Sequence, residues 1–352
     1  MAALDDEPAA VRLALRVAFT ATACLVVSEW LQLGQRSLSV YSAHMAMVLF
    51  PYSAFQKTVE RVVGRLLGVF YGLLAVVLFA HAPLVLVGFM LLGQMVFFYI
   101  YASGRLAYAA LMGGLFMGVV VALGLTTPTQ VWPYTRALAG QLILAAVLIV
   151  LVNWLTGAER TLAIETGEGA LWPPRHDWLS KAAMVSTAQI LAMFVALWFG
   201  LPTLPTMIST AILAITTSDP LGMGQKAYLR ALGAVLGGGY ALISMFLLAY
   251  LPDFLMLAAL VFFGMFIAAY YTRTAVTNSY AFMQMGLALP MVLIGTDGTL
   301  GTMSTAILRL VGVGAGLLVA EAVLIAWPQS TLIPAPAPAP MPEPATADGA
   351  SR

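Results

Sequence analysis

The 352-residue chain predicts an all-α polytopic membrane protein of about twelve transmembrane helices, arranged as two parallel six-helix repeats. Three observations predict it. Hydrophobic residues make up 61% of the chain and charged ones 9%, where an average globular chain carries roughly 25% charged residues. A stretch near residue 56 returns near residue 225, and the basic residues gather on one side of the predicted membrane.

Apolar runs fill the chain from about residue 11 to 327, and about 20 such residues carry a helix across a hydrocarbon core of about 30 Å. The opening "MAALDDEPAAVRLALRVAFTATACLVVSEW" has an acidic start, a long apolar run and Glu29. It therefore reads as a short cytoplasmic segment, 1–10, followed by the first spanning helix, and not as a secretory signal. The first repeat, 11–157, divides into spans near 11–30, 38–55, 60–80, 83–101, 105–125 and 134–155. The second, 180–328, divides near 181–200, 204–219, 229–250, 252–271, 277–296 and 304–327. A cytoplasmic linker, 158–179, joins them, and the tail, 329–352, is a Pro/Ala-rich segment expected to be disordered.

"QKTVERVVGRLLGVFYG" (56–72) returns as "QKAYLRALGAVLGGGYA" (225–241). A shift of 169 residues lays Pro51, Gln56, Lys57, Arg61, Gly64, Leu67, Gly68 and Tyr71 on Pro220, Gln225, Lys226, Arg230, Gly233, Leu236, Gly237 and Tyr240. A shift of 173 lays Arg136 on Arg309 and Trp154 on Trp327. Orientation follows from the excess of Lys and Arg in cytoplasmic loops. If every span crosses and the N-terminus is inside, thirteen of the 16 basic residues are cytoplasmic and only Arg36, Arg136 and Arg309 lie outside. If the short second and eighth helices failed to cross, the bias would vanish. Both termini are thus expected in the cytoplasm.

Arg61, Gly64, Gly68 and Tyr71 share one helical face, as do Arg230, Gly233, Gly237 and Tyr240. Gly64, Gly68 and Gly72, answered by Gly233, Gly237 and Ala241, form a ladder of small residues that lets helices approach closely in lipid. Helices 3 and 9 are accordingly expected to be central packing helices. The arginine marks the cytoplasmic end of the face, and the tyrosine lies about 15 Å deeper, near the midplane. A guanidinium suits a carboxylate and a phenol ring stacks on an aromatic body, so Arg61, Tyr71, Arg230 and Tyr240 are candidate substrate-binding residues. The structural alternative is an arginine that snorkels to the headgroups and a tyrosine bonded to a neighbouring helix.

A duplicated multi-helix unit with an arginine followed by spaced glycines entering its third helix resembles the fusaric-acid resistance and aromatic-acid exporter permeases of bacteria. The resemblance implies an inner-membrane location and efflux of small organic, often aromatic, acids alongside a periplasmic membrane-fusion adaptor. It brings no catalytic residue set. Three functions follow for comparison: a secondary exporter of organic anions, a passive organic-anion channel, and a membrane-embedded transferase. The last needs polar residues clustered at one membrane face, and His44, His81 and His176 are scattered.

Other polar residues are candidates by position. Arg136 and Arg309, just inside the outer ends of helices 6 and 12, suit an anion at the exit or serve as anchors, with Asp297 a partner for Arg309. His44 and Glu321 lie within apolar helices and are candidates for proton coupling, with a buried hydrogen bond or an ion pair as the structural alternative. Short, proline-bounded helices in equivalent places, as helices 2 and 8 are, point to a transporter's binding site. The lone Cys24 excludes a disulfide framework, and no metal or cofactor site is expected. "GTDGTLGT" (295–302) matches no nucleotide-binding motif. The expected surroundings are membrane lipid, a small organic anion and an adaptor, with no nucleic acid.

Overall fold

The computed structural model describes residues 7–49, 54–104, 106–157, 176–201, 204–216, 223–275, 277–294 and 303–327. They form α1 (Glu7–Trp30), α2 (Ser37–Leu49), α3 (Ala54–Phe79), α4 (Pro83–Ala102), α5 (Ala107–Thr126) and α6 (Pro128–Leu155). The rest are α7 (His176–Trp198), α8 (Leu204–Thr216), α9 (Met223–Tyr250), α10 (Phe254–Thr274), α11 (Ser279–Leu293) and α12 (Met303–Ala326). Nine of these are long and apolar enough to cross a membrane. Residues 158–175, the tail from 328, the 295–302 stretch with Asp297, and Pro51 and Pro220 lie outside the described residues.

Boundaries differ from the sequence expectation in two ways. α3 and α9 begin at Ala54 and Met223, six residues before the expected 60 and 229, so the polar "QK" pairs fall in opening helical turns instead of loops. α2 and α8 have 13 residues each and α11 has 15. At 1.5 Å per residue these reach only about 20 Å, short of a hydrocarbon core. For α11, expected over 277–296, this shortness was not foreseen.

The expectation that helices 3 and 9 are central is corrected. Every residue from Ala109 to Ala122 of α5 is buried, and α11 is nearly as enclosed from Ala281 to Leu293. α3 turns only its glycine face inward. Val63, Leu67, Phe70 and Val77 on its other side are exposed, as suits contact with lipid. A ladder of glycines marks a close contact but not which partner is central, and here the partner is. Trp30, Trp132, Trp154 and Trp198 stand exposed near helix ends, where amphipathic rings anchor at the membrane–water interface.

Helix pairing recurs at an interval of six. α1 packs on α2 and α6, as α7 does on α8 and α12; α3 packs along α5, as α9 does along α11. Across the middle of the molecule, α1 meets α10 and α4 meets α7, while α2 meets α11 and α5 meets α8. α1 and α7 also end alike. Leu33 N–H donates to the Ser28 carbonyl and Gln32 N–H to that of Glu29, while Leu201 N–H donates to Ala196 and Gly200 N–H to Leu197. These are Schellman closures, with Gln32 (φ 50°) and Gly200 (φ 60°) at the left-handed position.

Candidate functional site

Two arginines one turn apart on α3 enter the protein interior. Arg61 is 2% exposed and Arg65 is fully buried. They are met by α2, where Arg61 Nη1 donates to the Ser42 carbonyl at 3.3 Å and Arg65 Nη1 to the Ser42 hydroxyl at 2.9 Å. The Tyr41 ring lies 4.8 Å from the Arg61 guanidinium carbon and 5.3 Å from that of Arg65, and Phe116 of α5 lies 4.4 Å from Arg65. Such desolvated cation–π contacts contribute about 2 kcal/mol or more each. A charge at the centre of a bilayer costs about 3 kcal/mol even on the mildest scale. Three such contacts are comparable to the cost of the two charges, yet they satisfy none of the guanidinium N–H groups.

The rest of each guanidinium is unspent. Nε and Nη2 of Arg61 and of Arg65 have no hydrogen-bond partner, nor do Nε and Nη1 of Arg230 on α9. Arg230 is 7% exposed and its Nη2 donates to Thr210 Oγ1 of α8 at 3.4 Å. No carboxylate among the described residues pairs with any of the three. Arg61, Arg65 and Arg230 all lie within electrostatic reach of the Tyr41 hydroxyl. Guanidinium groups from both halves thus converge on α2. Together they present several buried N–H donors in forks suited to a carboxylate.

His44, one turn after Tyr41, lies in the field of Arg61. Its Nε2 is 3.3 Å from the Met283 carbonyl of α11 and its Nδ1 has no partner. The ring occupies the place a side chain would take at Gly286. Tyr134 of α6 is within reach of both Arg65 and Arg309. Arg309 is half-buried and Arg136 is exposed, so these two do not form a matched pair. Glu321 is half-buried in α12, and no contact joins it or Arg136 to the arginine cluster among the described residues.

Tyr71 and Tyr240 have packing partners. The Tyr71 hydroxyl donates to the Phe89 carbonyl at 3.1 Å and that of Tyr240 to the Leu260 carbonyl at 2.8 Å. Each ring fills the space a side chain would occupy at Gly93 or Gly264 of the next helix. The ladder below them is a backbone contact. A methyl at Gly64 or Gly68 would overlap the carbonyl of Ala109 or Gly113, and one at Gly233 or Gly237 that of Ala281 or Met285. At Gly72 it would meet Val120 Cβ at 2.9 Å.

Residues 191–325 match the family model described as fusaric acid resistance protein-like. The match covers less than half of the chain and is a similarity of that segment. No curated protein and no solved structure matches the chain. The matched segment runs from α7 to α12 and includes Arg230, Gly233, Gly237, Tyr240, Arg309 and Glu321; Arg61, Arg65 and His44 lie outside it. Nine of the described helices are long and apolar enough to cross a membrane, which makes the chain a multi-pass membrane protein. Arg65 and Tyr41 were not among the candidates from sequence. Comparing the two copies hides them, because Ala234 and Thr210 stand at the matching places.

Proposed function

We propose that the chain is a secondary transporter that exports small organic acids, aromatic ones among them, across a bacterial inner membrane. Two parallel six-helix copies with both termini in the cytoplasm enclose the path. The observation that carries this reading is the set of unspent guanidinium N–H groups of Arg61, Arg65 and Arg230, buried without a carboxylate where the two halves meet. Burying such charges unpaired costs several kcal/mol, and an anionic substrate offsets that cost while it is bound. Tyr41 and Phe116 supply flat apolar walls beside the charge, which favours an aromatic body. His44 is the ionisable group placed to exchange a proton with this site, with Glu321 a second position for one, and a periplasmic adaptor would receive the product.

Everted membrane vesicles containing the full chain test the proposal directly. Benzoate is expected to accumulate against its gradient, and an uncoupler is expected to collapse the accumulation. Flux that only runs downhill and ignores the uncoupler would make the protein a channel. Reporters fused after residue 58 and after residue 227 are expected to read cytoplasmic, and an outward reading at one of them would overturn the parallel arrangement.

A further inference from the structure

On the other side of α5 two buried glutamines with unsatisfied amide atoms meet at Gly118, and Ser186 lies one turn before one of them. Gln94 of α4, and Gln189 and Ser186 of α7, are all fully buried. Neither amide atom of Gln94 has a partner, nor does Gln189 Oε1 or Ser186 Oγ. Gln189 makes a single long contact, Nε2 to the Gly114 carbonyl at 3.5 Å. Both glutamine amides border the missing side chain of Gly118: a methyl there would overlap Gln189 Nε2 and stand 3.2 Å from Gln94 Nε2. Elsewhere the fold does satisfy a buried glutamine. Gln141 accepts from the Ser28 hydroxyl at 2.8 Å and donates to the Gly34 carbonyl at 2.9 Å. Nor does the architecture demand polarity at a seam between the halves. α1 and α10 meet through Ala14, Ala18, Ala21, Val261, Met265 and Ala269, in an apolar cluster.

We propose that Gln94, Gln189 and Ser186 hold a sodium ion at the α4–α7 seam. Turning the two amides by 180° exchanges nitrogen for oxygen, so the oxygens on offer are hard and neutral, two amide carbonyls and a hydroxyl; among the described residues no carboxylate, which a divalent ion would require, is bonded to them. Among the described residues no group of His, Cys, Asp or Glu is arranged to hold a metal. The packing is close enough that only the lack of a side chain at Gly118 admits the glutamines, which favours a small ion over potassium. The three residues lie mid-helix, and coupling-ion sites in transporters occupy the midplane at the junction of repeats.

The site has a consequence for the arginine cluster that rests on the transport reading. Phe116 faces Arg65 and Gly118 faces the glutamines, and residues two apart lie on nearly opposite sides of a helix. A cation on one side of α5 thus attracts an anion on the other, so sodium raises anion affinity and the anion raises sodium affinity by the same factor.

Thermal unfolding of the purified full-length protein, in sodium chloride against potassium and choline chloride, tests the site. At a hundredfold excess over its Kd, sodium is expected to raise Tm by roughly 5 °C while the other two cations do not. Gln94→Leu, Gln189→Leu and the milder Ser186→Ala are each expected to abolish or weaken that increment. The leucine variants are also expected to be at least as stable as the parent without sodium, since unpaired amides are removed. Equal Tm in all three salts would mean that water or a mutual amide bond occupies the seam, and would overturn the proposal. So would a sodium increment that survives in the Gln94→Leu/Gln189→Leu double variant. Arg61→Ala separates the two readings, because loss of benzoate transport with the sodium increment intact leaves this site standing whatever the fate of the arginine cluster.

Discussion

The first six helices and the last six solve their packing identically and their electrostatics differently. Tyr71 donates to the carbonyl of Phe89 over Gly93, and Tyr240 donates to the carbonyl of Leu260 over Gly264. Gly64 and Gly68 press on the backbone of α5 as Gly233 and Gly237 press on that of α11. At the arginines the correspondence stops. The first half has two guanidinium groups, Arg61 against Tyr41 and Arg65 between Tyr41 and Phe116, and the second has one, held by Thr210. Contacts that shape a helix pair must be made in each half. A charge that serves one shared ligand need be supplied only once.

The largest effect belongs to the shared packing. Gly68→Leu and Gly237→Leu must each displace a backbone carbonyl and not merely a side-chain tip, and overpacking against an unyielding partner reaches the upper range of single-site destabilisation, above ~4 kcal/mol. Both variants are expected to leave little folded protein in the membrane, measured by fluorescence-detected size-exclusion chromatography. If one variant folds normally, the two halves do not share this contact and the comparison fails at its base.

The same contrast explains what was legible in the sequence. Twelve helices, the repeated glycine face and its one-sided spacing follow from periodicity, because helical packing in lipid selects small residues at fixed intervals. The buried Arg61 and Arg230 were found because they recur. Arg65 was not, since Ala234 replaces it. Tyr71 and Tyr240 recur as well, each bonded to a backbone carbonyl, and recurrence alone does not distinguish a ligand contact from such a bond. The enclosure of α5 was also hidden: its glycines at 113, 114 and 118 look like a weak helix, and only their contacts with Gly68, Phe98 and Gln189 reveal a central one.

The next effect breaks the symmetry between the halves. Arg65→Ala is expected to weaken binding of benzoate to the purified protein by about 100-fold, in line with about 3 kcal/mol for a charge-assisted hydrogen-bonding group. Arg61→Lys keeps the charge but loses the fork and is expected to cost about tenfold. Arg230→Ala should fall between them, because one guanidinium serves the second half alone. Equal losses for Arg65→Ala and Arg230→Ala, measured by isothermal titration, would make the site symmetric after all.

Smaller again are the tyrosine hydroxyls. Tyr71→Phe and Tyr240→Phe each remove one hydrogen bond to a backbone carbonyl, worth about 1 kcal/mol. Both are expected to lower thermal stability alike and to leave benzoate affinity unchanged, while Tyr71→Ala loses ring packing as well and costs more. A drop in affinity in Tyr71→Phe at full stability would return the hydroxyl to the substrate path.

The smallest effect concerns how α1 and α7 end. Gly200 takes the left-handed position without penalty, and a Cβ added there meets nothing within 4 Å. Gly200→Ala therefore incurs backbone strain alone, about 1–2 kcal/mol. Gln32 already bears that strain at the equivalent closure of α1. It recovers part of it by donating from Nε2 to the Glu29 carbonyl at 2.8 Å, next to the Glu29–Arg36 ion pair. Gln32→Gly gives up an exposed hydrogen bond worth a few tenths of a kcal/mol and relieves the larger backbone term, so it should stabilise the protein by up to ~1 kcal/mol. The two substitutions are thus expected to move Tm in opposite directions by comparable amounts. A fall in both would mean that the Gln32 side chain does more at its turn than close the helix, and that even the matched ends of the two halves have diverged.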